Sequence, residues 1–271
     1  METRFPQPPE LTETVFAALE DKAKLPAASM VVLGMLAGVY IGLGGLVATV
    51  ALAGADSLPY GAAQLIAGVA FSLGLALVLI AGAELFTGNT LMAGSVATGR
   101  LPMPMVLRAL SIVYITNFLG SVVLAAAAFL AGVQEAGNGA VGRAALELAA
   151  AKLDKSFTTA FASGILANML VCLAVWMAYA GNSVADRIAA LIMPIAAFVA
   201  AGFEHSVANM YLLPYAFLVQ SVIPEATASV SLTGIAGNLL PTTLGNILGG
   251  SLVAVAYGYV YRKRKTLMEA G

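Results

Sequence analysis

Two carboxylates and one imidazole stand in stretches of sequence that are otherwise apolar. Ala81-Gly82-Ala83-Glu84 runs on to Asn89, and Ala201-Gly202-Phe203-Glu204 runs on to Asn209, so one A-G-x-E-x-x-x-x-N frame occurs twice, 120 residues apart (209 − 89). A carboxylate in hydrocarbon is costly and is kept there only with partners or water. Three kinds of chemistry suit Glu84 and Glu204: a proton relay, a paired cation site, or acceptors for backbone amides where a helix breaks. Their presence in both copies weighs toward the structural role, with Asn89 and Asn209 as further polar groups of the breaks. His205, the single histidine, has no counterpart in the first copy. A lone histidine in a soluble core is usually a packing residue, but an ionisable residue inside a membrane is a functional candidate by default. Its imidazole can donate to an anion when neutral, or give a proton and recover it near neutral pH. Cys172 is the only cysteine, so with no second histidine or thiol neither a metal site nor a cofactor is expected.

Such groups need a membrane scaffold around them. Hydrophobic residues make up 60% of the chain and charged residues 10%, with a mean hydropathy of +0.92. That composition describes a polytopic, all-α membrane protein. A net charge of −1 argues against a nucleic-acid partner. Stretches long enough to cross about 30 Å of hydrocarbon, roughly 20 residues each, lie at approximately 28 to 54, 62 to 97, 105 to 132, 156 to 180, 187 to 218 and 239 to 261. The second and fifth of these six are too long for one straight helix. Each carries the repeated frame near its middle, with a Gly two residues before the acid, and both are read as broken helices. Irregular backbone at membrane depth is tolerated only where protein buries it or water reaches it, and half-helix N-termini there favour an anion. The third and sixth spans share a second frame, Asn117 with Gly120 and Asn246 with Gly249. Two related halves, about 28–132 and 156–261, with three spans each, must be inverted relative to one another.

About ten of the thirteen Lys and Arg residues fall on one side of this six-span chain, among them Arg4, Lys22, Lys24, Arg100, Arg108, Arg187 and the run Arg262 to Lys265. That side is the cytoplasm by the positive-inside rule, so both termini are cytoplasmic, the last as a basic tail, 262–271. Arg143, Lys152 and Lys155 instead share the long outer connection. They form either an anion attractor or an ordinary solvated loop. Residues 1–27 form a cytoplasmic segment in which Leu11, Val15, Phe16 and Leu19 share a face of a helix over Pro9 to Leu25. An interfacial helix is the simplest account, with a pore mouth or a subunit contact as alternatives. Asn168 in the fourth span can pair across helices or reach a pathway. Phe71, Phe86, Phe198 and Phe203 flank the breaks, either as packing or as hydrophobic constrictions around a polar centre.

The strings AFSLGL (70–75), AGAELFTGNT (81–90), GILANMLVCLAVWMAY (164–179), GFEHSVANMYLLP (202–214) and NLLPTTLGNILGG (238–250) resemble the formate/nitrite transporter family of bacterial and archaeal anion channels. The resemblance covers nearly the whole chain. It implies an aquaporin-like fold of six transmembrane helices with broken second and fifth helices, assembled as a homopentamer with a pore in each protomer, in the cytoplasmic (inner) membrane. Carried over by residue, Leu75 and Phe198 match a cytoplasmic constriction and Phe71 a periplasmic one. Thr87 matches the threonine that faces the central histidine, here His205. Lys152 matches a vestibule lysine that attracts the anion, with Glu204 and Asn168 as its polar neighbours. FSLGL, ILANMLVCLAVWM and NLLP look more like formate channels, whereas AELFTGNT and TGIAGNLL lean toward nitrite and other branches.

The expectation is therefore proton-linked transport of a small monovalent weak-acid anion, formate first, with nitrite or hydrosulfide as alternatives. Substrate, protons and lipid are the expected partners, and no enzymatic step is expected. A neutral-solute channel resembling an aquaporin would be expected to carry paired N-P-A motifs, and none is present. A sensor or structural membrane subunit would use the N-terminal helix as its docking element.

Overall fold

Helices start and stop here where the local chemistry requires it. Pro26, Pro59 and Pro102 sit at the N-caps of α2 (Ala27–Leu52), α3 (Tyr60–Ala81) and α6 (Met103–Leu130), where a missing N–H costs nothing. Ser156 and Ser183 cap α8 (Phe157–Tyr179) and α9 (Val184–Ala200) through their hydroxyls. The computed structural model describes residues 6–223 and 229–269, and no strand occurs among them. The remaining helices are α1 (Pro8–Ala23), α4 (Phe86–Asn89), α5 (Met92–Ala97), α7 (Ala140–Leu153), α10 (Ser206–Val219) and α11 (Leu232–Glu269). Arg4 lies outside the described residues, as do the side chains from Arg262 onward.

Among the described residues, five helices are long and apolar enough to cross a membrane: α2, α3, α6, α8 and the Leu232–Tyr261 part of α11. The two long stretches of the sequence resolve differently. Residues 62 to 97 become three helices, α3, α4 and α5, and residues 187 to 218 become two, α9 and α10. Both interruptions begin at a glycine in the left-handed region, Gly82 (φ 81°) and Gly202 (φ 66°). Past each, an i→i−5 bond closes the helix, Ala83 N to Val78 O (2.9 Å) and Phe203 N to Phe198 O (3.0 Å). The chain then runs without helix through 83–85 and 203–205 before turning into α4 and α10.

Close helix crossings frame these interruptions. α6 packs along α2 and α11 along α8, and glycine makes each approach possible. A Cβ on Gly120 would lie 2.8 Å from the Met35 carbonyl carbon, and one on Gly249 3.0 Å from that of Ile165. These are the two glycines of the second repeated frame. At one end of the bundle α1 buries Leu11, Val15, Phe16 and Leu19, the face its sequence marks. It docks against protein, with Phe16 edge-on to Trp176 (6.0 Å), while Arg100 pairs with Glu13 and Glu20 and lies over the Phe16 ring.

Candidate functional site: the two helix breaks and the cavity beside them

Each break is held by an asparagine from a neighbouring helix. Asn117 on α6 accepts from Phe86 N (2.9 Å) and donates to Glu84 O (2.9 Å) and Gly34 O (2.8 Å). Asn246 on α11 accepts from Ser206 N (2.8 Å) and donates to Glu204 O (3.0 Å) and Gly164 O (2.8 Å). Buried peptide groups left by the interrupted helices are thereby paired. The Glu side chains have other partners. Glu84 accepts from Asn89 Nδ2 (2.8 Å) and Lys22 Nζ (2.6 Å). Glu204 accepts from Asn209 Nδ2 (2.6 Å), Lys155 Nζ (2.7 Å) and Lys152 Nζ (3.3 Å). The carboxylates therefore hold amide and ammonium groups rather than the backbone amides expected on the sequence, and the first N–H after each break goes to an asparagine instead.

The two breaks meet at their dissimilar residues. Thr87 Oγ1 lies 2.8 Å from His205 Nε2, with both residues buried. His205 also caps α10, its Nδ1 accepting from Ala208 N (3.1 Å). In the neutral ring the proton therefore sits on Nε2 and is donated to Thr87, which leaves the threonine hydroxyl proton for another acceptor. Ser206 N and Ala208 N, two of the N-terminal donors of α10, are spent on Asn246 and His205.

Beside the imidazole lies a cavity of ≈100 Å³ whose walls include Lys152, His205, Phe71, Phe198 and Phe203. Phe71 and Phe198 meet edge to face at 5.5 Å, and Phe198 lies 5.8 Å from the His205 ring. One ammonium, one imidazole and a phenyl pair thus share a space fit for a few heavy atoms.

The formate/nitrite transporter family model matches residues 9–261 of the chain. The chain belongs to this family. A curated relative, "Formate channel FocA" of Escherichia coli (strain K12), is 36% identical over 84% of this chain and 85% of its own length. The "Probable formate transporter" of Methanothermobacter thermautotrophicus is 37% identical over 97% of this chain and 100% of its own. A solved structure titled "Pentameric formate channel with formate bound" superposes with a TM-score of 0.81 at 37% identity, covering 87% of this chain and 97% of that one.

The residues carried over from the family on sequence fall into two groups. Lys152 and His205 line the cavity, and Glu204 and Thr87 bond to them from outside its wall. Asn168 does not join Lys152. Its amide donates to Asn246 O (2.6 Å), Thr90 Oγ1 (2.9 Å) and Thr87 O (3.2 Å), tying the first break to α11. Phe71 and Phe198, assigned on sequence to opposite constrictions, stand on one cavity. The cause is the crossing of α3 and α9, where a Cβ on Gly68 would lie 2.7 Å from the Ala196 backbone. Leu75, four residues further along α3, is buried and outside the cavity wall. Phe86 packs on Tyr114 (4.8 Å) instead of lining the cavity.

Three polar partners escape a reading of the sequence. Asn238 donates to Lys152 O (3.0 Å) and accepts from Asn209 (2.7 Å), Ser163 Oγ accepts from Glu204 N (2.9 Å), and Lys22 reaches Glu84 from α1. Asn238 alone had a signal, four residues before Thr242 and eight before Asn246 on one face of α11.

Proposed function

We propose that this protein carries a small monovalent weak-acid anion, formate in the first instance, through a pore in each protomer of a homopentamer, with proton movement linked to anion movement. In this reading α9 and α10 together make the fifth of six crossings, residues 28–261 form the channel as two inverted, aquaporin-like halves with broken second and fifth helices, and 1–27 and 262–271 are cytoplasmic flanks. The protein sits in the cytoplasmic membrane with both termini inside. The 2.8 Å contact between Thr87 and His205 carries the reading, because it joins the two breaks through the histidine that has no counterpart in the first copy of the frame.

Lys152 draws the anion toward the cavity, where positive potential raises its local concentration. Passage as an ion past the Phe71–Phe198 pair and the neighbouring Leu75 is opposed by desolvation, whereas the neutral acid crosses at far lower cost. Thr87, its oxygen already accepting from His205, offers its hydroxyl proton as a hydrogen bond to the anion. Protonation of the ring at Nδ1 requires the bond from Ala208 N to open. An imidazolium so formed gives one proton to the anion, leaving a neutral ring and a neutral acid, and a proton from solution restores the charge. Transport is then reversible and driven by the combined gradients.

Competition in proteoliposomes tests the substrate. Formate uptake is measured against nitrite, hydrosulfide, acetate and lactate across a pH series. Formate is expected to be carried best and to rise in flux as the outside is acidified. Equal or better transport of nitrite with no pH dependence would replace formate and remove the proton from the cycle.

A further inference from the structure

Glu204 has two ammonium groups and the two are held differently. Lys155 Nζ lies 2.7 Å from Glu204 Oε1 and also donates to Gly202 O (2.6 Å). That carbonyl belongs to the turn closing α9, the negative end of a helix dipole. Lys152 Nζ lies farther off, 3.3 and 3.4 Å from the two carboxylate oxygens. It lines the cavity with His205, and Lys155 does not. The other carboxylate oxygen accepts from Asn209 (2.6 Å) and Asn238 (3.4 Å), so two amides hold Oε2 while Oε1 faces Lys155.

The local charge sum is +1, two lysines against one glutamate (2 − 1). Glu147 and Asp154 nearby on the chain are exposed and in no ion pair among the described residues. At the other break Glu84 has one lysine, Lys22, and the sum is zero (1 − 1). A buried carboxylate requires a counter-ion, and one lysine suffices at the first break.

We infer that Lys155 is the structural counter-ion of Glu204, and that its presence leaves the Lys152 ammonium as a surplus positive charge available to a small anion in the cavity. Lys155 is thus a positioning residue acting through Glu204 and Lys152. The inference rests on the anion-channel reading above. Without Lys155, the Lys152 ammonium is drawn onto Glu204 and the surplus charge disappears.

The test measures formate flux into proteoliposomes against formate concentration for the wild type, Lys155→Gln, Lys155→Arg and the double variant Lys155→Gln/Glu204→Gln. Lys155→Gln is expected to raise the half-saturating concentration by roughly three- to tenfold, the scale of a lost steering charge, and to lower maximal flux by much less. The deficit should shrink at 0.5 M salt, which screens charges over a few ångströms. Lys155→Arg should retain wild-type saturation, and the double variant, with the +1 sum restored, should recover saturation relative to Lys155→Gln. Equal loss in half-saturation and maximal flux, or no recovery in the double variant, would overturn the assignment and leave Lys155 as a folding residue. A wild type that carries neither formate nor another small anion would instead overturn the channel reading itself.

Discussion

Asn117 and Asn246 make the same three hydrogen bonds in opposite halves of the chain. Each accepts from the first N–H of the helix after a break, and donates to the carbonyl of the break glutamate and to a glycine carbonyl on the neighbouring long helix. The clamp explains how non-helical backbone survives between apolar helices. Each amide supplies both of its protons and its oxygen to peptide groups that lipid cannot satisfy.

Replacing either clamp by alanine strands the buried N–H that opens the helix after the break and takes one bond from each of two carbonyls. Asn246→Ala and Asn117→Ala are each expected to destabilise the protein by about 1–3 kcal/mol, from the cost of a stranded buried polar group. Thermal unfolding of the detergent-solubilised protein measures this. Asn246→Ala should also depress flux more than Asn117→Ala, since its break carries His205.

Lys22 reaches from α1 to a carboxylate with 4% side-chain exposure. Lys22→Met strands Glu84, with an expected loss of about 1–3 kcal/mol, reduced from the fully buried case because Lys22 itself is 27% exposed. Lys22→Met/Glu84→Gln should recover most of it, as judged by melting temperature. A double variant no better than the single would show that the pair contributes little.

Gly120 and Gly249 leave no room for a side chain against backbone. Gly249→Val and Gly120→Val must separate α11 from α8, or α6 from α2, and overpacking of this kind typically costs about 1–3 kcal/mol. The expected readout is a lower melting temperature and weaker recovery of folded protein. The same change at Gly61, whose Cβ would meet nothing within 4 Å, should be tolerated.

Much of this scaffold was legible in the residues, and what escaped has a common cause. The A-G-x-E frame marked both breaks because glycine, acid and asparagine are conspicuous in apolar sequence, and the Asn-Gly frame marked the clamps. The partners of the acids were not visible, since Lys22 lies 62 residues from Glu84 and Lys155 lies 49 from Glu204. Side-chain pairing across a bundle depends on helix register, which local pattern does not encode. The same limit hid the Phe71–Phe198 contact, which depends on where α3 crosses α9. Hydropathy merged 62 to 97 and 187 to 218 into single spans because apolar residues continue through the breaks. The α1 face was readable because its 3.6-residue period is strong, while its docking site was not.

Lys152 has 14% side-chain exposure, and the proposed role for it is attraction of the anion by charge. Lys152→Ala is expected to weaken uptake most at low formate and low ionic strength, with the difference from wild type narrowing as salt screens the attraction. Initial rates at two salt concentrations distinguish this from equal loss under all conditions, which would indicate a folding defect.

Simultaneous recording of formate and proton flux in liposomes containing wild type or His205→Asn tests proton transfer at the Thr87–His205 contact most directly. Wild type should move protons with formate in fixed proportion, and His205→Asn should carry formate with that proportion lost or strongly reduced. Unchanged proton coupling in the variant would contradict the assignment and take His205 out of the transport cycle.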